Sequence, residues 1–217
     1  MRSYANIRKS ASITRRFKSA HPHRQRTIKM LGKFVISAAL GRTVFFAAAL
    51  AHDPKVVMPG EGKPVAVPFH PTTLLLSENE NEGGLSFFEF RVPPKTPAAP
   101  PHIHEAEDEF FYVVSGEMSF LDRDKVVVGG PGTFLALTRN NLHAFWNHSD
   151  EETVMLVAAS KGNFEKFFDE VAMAVQAEKP ASAEAMGALI GKTAAARGIT
   201  IRMDAVPDEA KALYFAQ

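Results

Sequence analysis

Between residues 72 and 158, apolar and polar positions alternate in short runs rich in β-branched and aromatic side chains, a period of two that predicts half-buried strands. The runs are Thr72 to Ser77, Leu85 to Val92, Phe110 to Val114, Glu117 to Leu121, Lys125 to Val128, Gly132 to Leu137, His143 to Asn147 and Thr153 to Ala158. Ser115-Gly116 and Asp122-Arg123-Asp124 join the third, fourth and fifth runs into a tight meander. So many short runs with turn residues between them predict an all-β antiparallel sandwich or barrel over 72–160. Ahead of it, residues 52–71 are broken by Pro54, Pro59, Gly60, Gly62, Pro64, Pro68 and Pro71 and read as a loop. Behind it the period lengthens to 3.6. Phe164, Phe167, Phe168, Val171 and Val175 predict an amphipathic helix over 164–177 with Asn163 as N-cap. A second helix is expected after Ser182, ending at Gly198, and Pro207 opens a short third one, so 161–217 reads as a helical extension. Such helices are expected to cover a barrel end or a dimer seam and are assigned no chemistry.

Residues 1–51 follow a different pattern. They carry eleven Lys and Arg and no acid, whereas residues 52–217 carry a net charge of −10, so the formal +1 of the 217-residue chain conceals a basic leader on an acidic body. A nucleic-acid-binding arm would stay polar, but this leader runs into the apolar stretch from Thr43 to Ala51. A cationic region, an apolar run and then acidic, Pro-rich sequence form the layout of a secretory signal peptide, with Ala49 and Ala51 placed for cleavage before His52. Export to the periplasm or the exterior is the expectation. Arg42 splits the apolar stretch into pieces shorter than the roughly 20 residues of a membrane span, so no stable span is expected. Met30-Leu31-Gly32-Lys33 would make a more typical start than Met1. Thr14-Arg15-Arg16-Phe17-Lys18 resembles a twin-arginine signal but lies far from the apolar run.

With 46% apolar and 23% charged residues the chain is ordinary globular material, which excludes disordered and collagen-like classes. It has no cysteine, so disulfides, thiolate metal sites, iron–sulfur clusters and cysteine nucleophiles are excluded together. Any metal must be held by histidine and carboxylate. Neither a G-x-S-x-G elbow nor a phosphate-binding Gly-rich motif is present, and the acidic body argues against nucleic acid as a partner.

Chemistry concentrates between residues 100 and 147. Pro100-Pro101-His102-Ile103-His104 puts two imidazoles two residues apart, which on a strand sends both to one face, roughly 7 Å apart along the backbone. Buried without partners, each ring would cost roughly 1–3 kcal/mol, and a shared metal ion satisfies both. Glu109 and His143 complete a candidate set of three imidazoles and a carboxylate, suited to one divalent ion of Fe, Mn, Co, Ni, Cu or Zn. The Glu105–Glu109 run otherwise reads as a solvated acidic turn, and His21, His23, His52, His70 and His148 as surface or satisfied core residues.

These residues carry a family resemblance. His102, His104, Glu109 and Gly116 fit the first cupin motif, G-x5-H-x-H-x(3,4)-E-x6-G, and Gly132, His143 and Asn147 fit the second, G-x5-P-x-G-x2-H-x3-N. Thr96, Thr138 and Asn140 depart from it at turn positions, and Asn140 is the replacement for Gly that best tolerates a left-handed backbone. With Gly162-Asn163-Phe164-Glu165-Lys166-Phe167-Phe168, the chain is similar over about 66–200 to single-domain bacterial cupins related to quercetin 2,3-dioxygenase.

That resemblance implies a cupin jelly-roll barrel in which His102, His104 and His143 bind the metal and Glu109 is a fourth ligand or a nearby base. It implies a homodimer and, as activity, dioxygen-dependent cleavage of an enolic or phenolic small molecule. Phe145 and Asn147 are expected to face the interior with His143, and Phe88, Phe90, Met118, Phe120 and Phe134 to supply apolar walls. Other readings stay open: another metal-dependent cupin enzyme (isomerase, decarboxylase or hydrolase), a non-catalytic exported module that binds a small molecule or a metal, and a metal-free barrel with structural histidines.

Overall fold

The computed structural model describes residues 54–160 and 162–215. The signal-peptide reading of residues 1–51 therefore lies outside the described residues. Among the described residues, eleven strands form two sheets. In chain order they are β1 (Lys63–Val65), β2 (Thr72–Leu76), β3 (Ser86–Val92), β4 (Thr96–His104), β5 (Glu109–Ser115), β6 (Met118–Asp122), β7 (Lys125–Gly129), β8 (Phe134–Leu137), β9 (His143–Asn147), β10 (Thr153–Ala159) and β11 (Ile199–Ile201). One sheet runs β1-β2-β3-β10-β5-β8 and the other β11-β4-β9-β6-β7, with every pairing antiparallel. The fold is the double-stranded β-helix of cupins, mostly sheet with a few C-terminal helices.

Period-two burial closes the two sheets on each other. On β5, Glu109, Phe111 and Val113 are buried while Tyr112 and Val114 face outward. Phe88, Phe90, Val92, Met118, Phe120, Met155 and Val157 fill the interior from β3, β6 and β10. At about 25 cal/mol per Å² of apolar surface, each such side chain contributes roughly 1.5–3 kcal/mol. The meander closes through Gly116, whose φ of +76° and the 2.6 Å that would separate a Cβ from the Glu152 carbonyl leave room for nothing larger. Asn140 does adopt the left-handed backbone, with φ of 62°, and its N–H donates to the His104 carbonyl at 2.8 Å.

Strand β4 is the element that alternation could not show, because Pro97, Pro100 and Pro101 interrupt it. Proline cannot donate to a ladder, and the register against β9 slips twice, between Thr96 and Ala99 and between Ala99 and His102. The slips end in phase, so that His102 pairs with His143. Two further strands fall where other structure was expected. β1 lies inside the Pro/Gly-rich 52–71 segment, and β11 lies inside the C-terminal extension, pairing Ile199 with His104 and Ile201 with His102.

Helix α1 (Phe164–Glu178) and helix α2 (Ala183–Ala195) form near the expected limits. Ser182 caps α2 by accepting from the Ala185 N–H at 3.1 Å. Asn163 is not a side-chain cap: it has φ of 62° and makes no cap bond, and its N–H donates to Glu78 Oε2 at 3.1 Å instead. Phe164, Phe167, Phe168 and Val171 of α1 plug one end of the barrel. The chain after β11, including the short α3 (Lys211–Phe215), packs Val206 and Ala210 against Leu121, Ala144 and Trp146 on the outer side of β6 and β9. Among the described residues, no helix is long and apolar enough to cross a membrane.

Candidate metal centre

Four buried side chains meet at one end of the barrel: His102 and His104 from β4, Glu109 from the start of β5 and His143 from the start of β9. Their ligand atoms all lie within 4.8 Å of one another. Glu109 Oε2 is 2.9 Å from His143 Nε2, 3.3 Å from His104 Nε2 and 3.7 Å from His102 Nε2. The outer nitrogens fix the rings. His102 Nδ1 donates to the Pro100 carbonyl at 2.7 Å and His143 Nδ1 to the Asn141 carbonyl at 2.9 Å, while His104 Nδ1 lies 3.1 Å from Glu107 Oε2. With protons placed outward, the Nε2 lone pairs point at the centre.

The donor set fits a cation. His102 Nε2 and His104 Nε2 are 3.0 Å apart, a repulsive separation for two lone pairs unless a proton or metal ion lies between them. Nitrogens bound at right angles to one transition-metal ion at about 2.1 Å are themselves about 3 Å apart. Charge points the same way. Burial opposes charge on His104, but Glu109 and Glu107 outweigh it and push its pKa up to about 9. Burial likewise disfavours the Glu109 carboxylate, yet the His104 charge and hydrogen bonds from the imidazoles hold it well below the usual range. His102, pushed down to about 4 by burial and by His143, stays neutral and able to ligate. A negative carboxylate among three imidazoles is a site built around positive charge, and His102, His104, Glu109 and His143 are the residues that could hold it.

Neighbouring elements lock this arrangement. Asn141, whose carbonyl takes the His143 proton, is itself held by Arg123 Nε at 2.9 Å and by Asp122 Oδ1 at 2.8 Å. Asp108, beside Glu109, binds the Arg139 guanidinium and backbone N–H, and these bonds hold its carboxyl down at about 2. Phe164 of α1 packs edge-on against His104 with ring centroids 5.2 Å apart, so the helix does shape the site.

A cavity of about 80 Å³ opens onto the cluster. His102, His104 and Glu109 line it, as do Phe90, Phe145 and Phe164 and residues of α2 and β11. Of the expected walls, Phe90 is there, joined by Phe145, which faces inward as expected, while Phe88, Met118 and Phe120 are core behind it. Phe134 does not face inward: it is 62% exposed on the outer side of β8. Asn147 is fully buried but serves a turn, donating to the carbonyls of Val92 and Glu151 and accepting from Ser149. The alternation of β9 gave its side, not its partner.

Two residues were not singled out from sequence. Glu107, hidden in an acidic run that reads as solvated, is only 2% exposed and orients His104. Gly162 makes room for it, since a Cβ there would lie 2.4 Å from Glu107 Oε1. The other is His70, which is buried as a satisfied core residue would be but also lines the cavity.

A double-stranded β-helix with three histidines and a glutamate at one end defines the class, and comparison with known families names it. Residues 88–159 match the family described as Cupin domain. Similar solved structures include a predicted oxalate decarboxylase from Thermotoga maritima (23% identity, 49% of this chain and 99% of that one, TM-score 0.46). The polyketide cyclase RemF from Streptomyces resistomycificus is 26% identical over 50% of this chain and 80% of that one, with a TM-score of 0.43. An uncharacterised conserved protein with a double-stranded β-helix domain from Klebsiella pneumoniae is 18% identical over 49% of this chain and 84% of that one, with a TM-score of 0.38. No curated protein matches the chain.

Proposed function

We propose that this protein is a metal-dependent cupin enzyme that adds dioxygen to an enolic or phenolic small molecule. The observation that carries the reading is the convergence of His102, His104, His143 and Glu109 at the wall of an otherwise largely apolar cavity. A divalent cation held there supplies Lewis acidity, lowering the pKa of a substrate hydroxyl. Glu109 borders the cavity and accepts that proton when it is not itself a ligand; His143 does not line the cavity and acts from behind, pinning the carboxylate. Phe90, Phe145 and Phe164 hold a flat apolar body and exclude water around the electron-rich anion. Both atoms of dioxygen enter the product, so no external reductant is needed.

The leader pattern supports export with cleavage near Ala51. Outward-facing Tyr112, Val114, Phe134 and Leu156 on β5, β8 and β10 support a homodimer through that face. Oxygen uptake by metal-loaded protein with a panel of flavonols and 1,3-diketones tests the activity. Consumption in step with substrate loss, abolished in Glu109→Ala, is expected. Metal-loaded protein that consumes no oxygen with any of them contradicts dioxygenation and leaves the other metal-cupin chemistries.

A further inference from the structure

His70 stands apart from the cluster and is used by nothing described so far. It is the one polar residue among those lining the cavity that does not belong to the cluster. It enters just before β2, tilted against Phe90 at a centroid distance of 4.7 Å and against Phe145 at 6.2 Å. Phe145 lies two residues beyond His143 on β9, roughly 7 Å along the strand. Phe90 and Phe145, with centroids 6.1 Å apart, line the same cavity as His70, His102, His104 and Glu109.

The protonation of its ring follows from its neighbours. Thr72 Oγ1 donates its proton to the His70 carbonyl at 3.1 Å, so at 3.3 Å from His70 Nδ1 the same oxygen can only accept. The other neighbour of Nδ1, the Pro71 carbonyl at 3.5 Å, is also an acceptor. Nδ1 thus carries the proton, and Nε2 is a bare acceptor. Among the described residues Nε2 makes no hydrogen bond, yet no fully buried side-chain nitrogen or oxygen there lacks a partner. It is therefore open to accessible space, and the space that His70 borders is the cavity. Burial pushes the ring's pKa down to about 4, which keeps it neutral near neutrality.

We infer that His70 is a specificity-determining residue whose Nε2 accepts a hydrogen bond from a second hydroxyl of the substrate, at the end of the molecule remote from the cluster. This rests on the enol or phenol reading above and deepens it: the substrate is a rigid, largely apolar molecule with an acidic hydroxyl at one end and a hydroxyl donor at the other. Molecules with only carbonyl or ether oxygens at the far end leave the acceptor unmatched.

The test compares 3-hydroxyflavone with 3,4′-dihydroxyflavone, which differ by one hydroxyl on the far ring, by titration into metal-loaded full-length protein. The dihydroxy compound is expected to bind about five- to tenfold more tightly, as one net hydrogen bond allows. His70→Phe should remove that preference, read as the ratio of the two affinities within the same variant, and His70→Gln, which keeps an acceptor, should restore part of it. In wild-type protein labelled with ¹⁵N-histidine, the Nε2 resonance of His70 should move with the dihydroxy compound alone, a readout that needs no variant. Equal affinities in the wild type, a preference that survives His70→Phe, or an unmoved resonance overturns the His70 assignment while the enol reading stands. Absence of binding by either flavone overturns both.

Discussion

Acidification should expose His70 as a specific weak point. The ring is 7% exposed and burial depresses its pKa from 6.5 to about 4. Above 6.5 the folded and unfolded chains both hold it neutral, and it contributes no pH dependence. As the pH falls from 6.5 towards 4 the unfolded chain takes up a proton that the folded chain refuses, so stability is lost with each step. Below about 4 the folded ring is protonated too, and the loss levels off. The gap between 6.5 and about 4, at about 1.4 kcal/mol per pH unit, amounts to about 3 kcal/mol. Urea unfolding at a series of pH values measures it, with the wild type compared with His70→Gln so that the other titrating groups cancel. The wild type should lose about 3 kcal/mol relative to the variant across that window. Parallel curves would refute the reasoning, because they would mean that the folded chain protonates His70 as readily as the unfolded one does.

Other consequences follow from the shell around the cluster. Glu107→Gln removes the carboxylate that orients His104 and should weaken metal affinity about 10- to 100-fold with little change in the far-ultraviolet circular dichroism spectrum. Gly162→Ala puts a methyl group where Glu107 lies and should lower metal affinity in the same direction and depress the melting temperature, whereas Gly187→Ala, which has open space, should do neither. Tyr214→Phe deletes the hydroxyl that donates to the Ala99 carbonyl at 2.6 Å and should cost about 1 kcal/mol in urea unfolding without affecting metal content.

Much of this arrangement could be read before any coordinates. His102, His104, Glu109 and His143 are polar residues at motif spacing within apolar runs, and the parity of a strand puts His102 and His104 on one side whatever the details of pairing. The alternation of β3, β5, β9 and β10 was legible for the same reason. What stayed hidden depends on partners distant in sequence. Three prolines mask β4, whose register is rescued by two slips that only the pairing with β9 defines. Glu107 looks like its solvated neighbours because its burial is created by Gly162, 55 positions away. Parity put Asn147 inside but could not say that it would be consumed by a turn, nor that Phe134 would lie on the outer side of β8. The side of α1 facing the barrel was readable from its 3.6-residue period, yet its contact with His104 came from the docking of the helix on the barrel end.

Metal content tests the central claim most directly. Full-length protein loaded with a divalent transition metal, passed over a desalting column and analysed for its elements, should retain about one ion per chain, and His104→Ala, folded by circular dichroism, should retain almost none. Wild-type protein that emerges without metal, or a His104→Ala variant that keeps its full complement, would contradict a cation held among these four side chains.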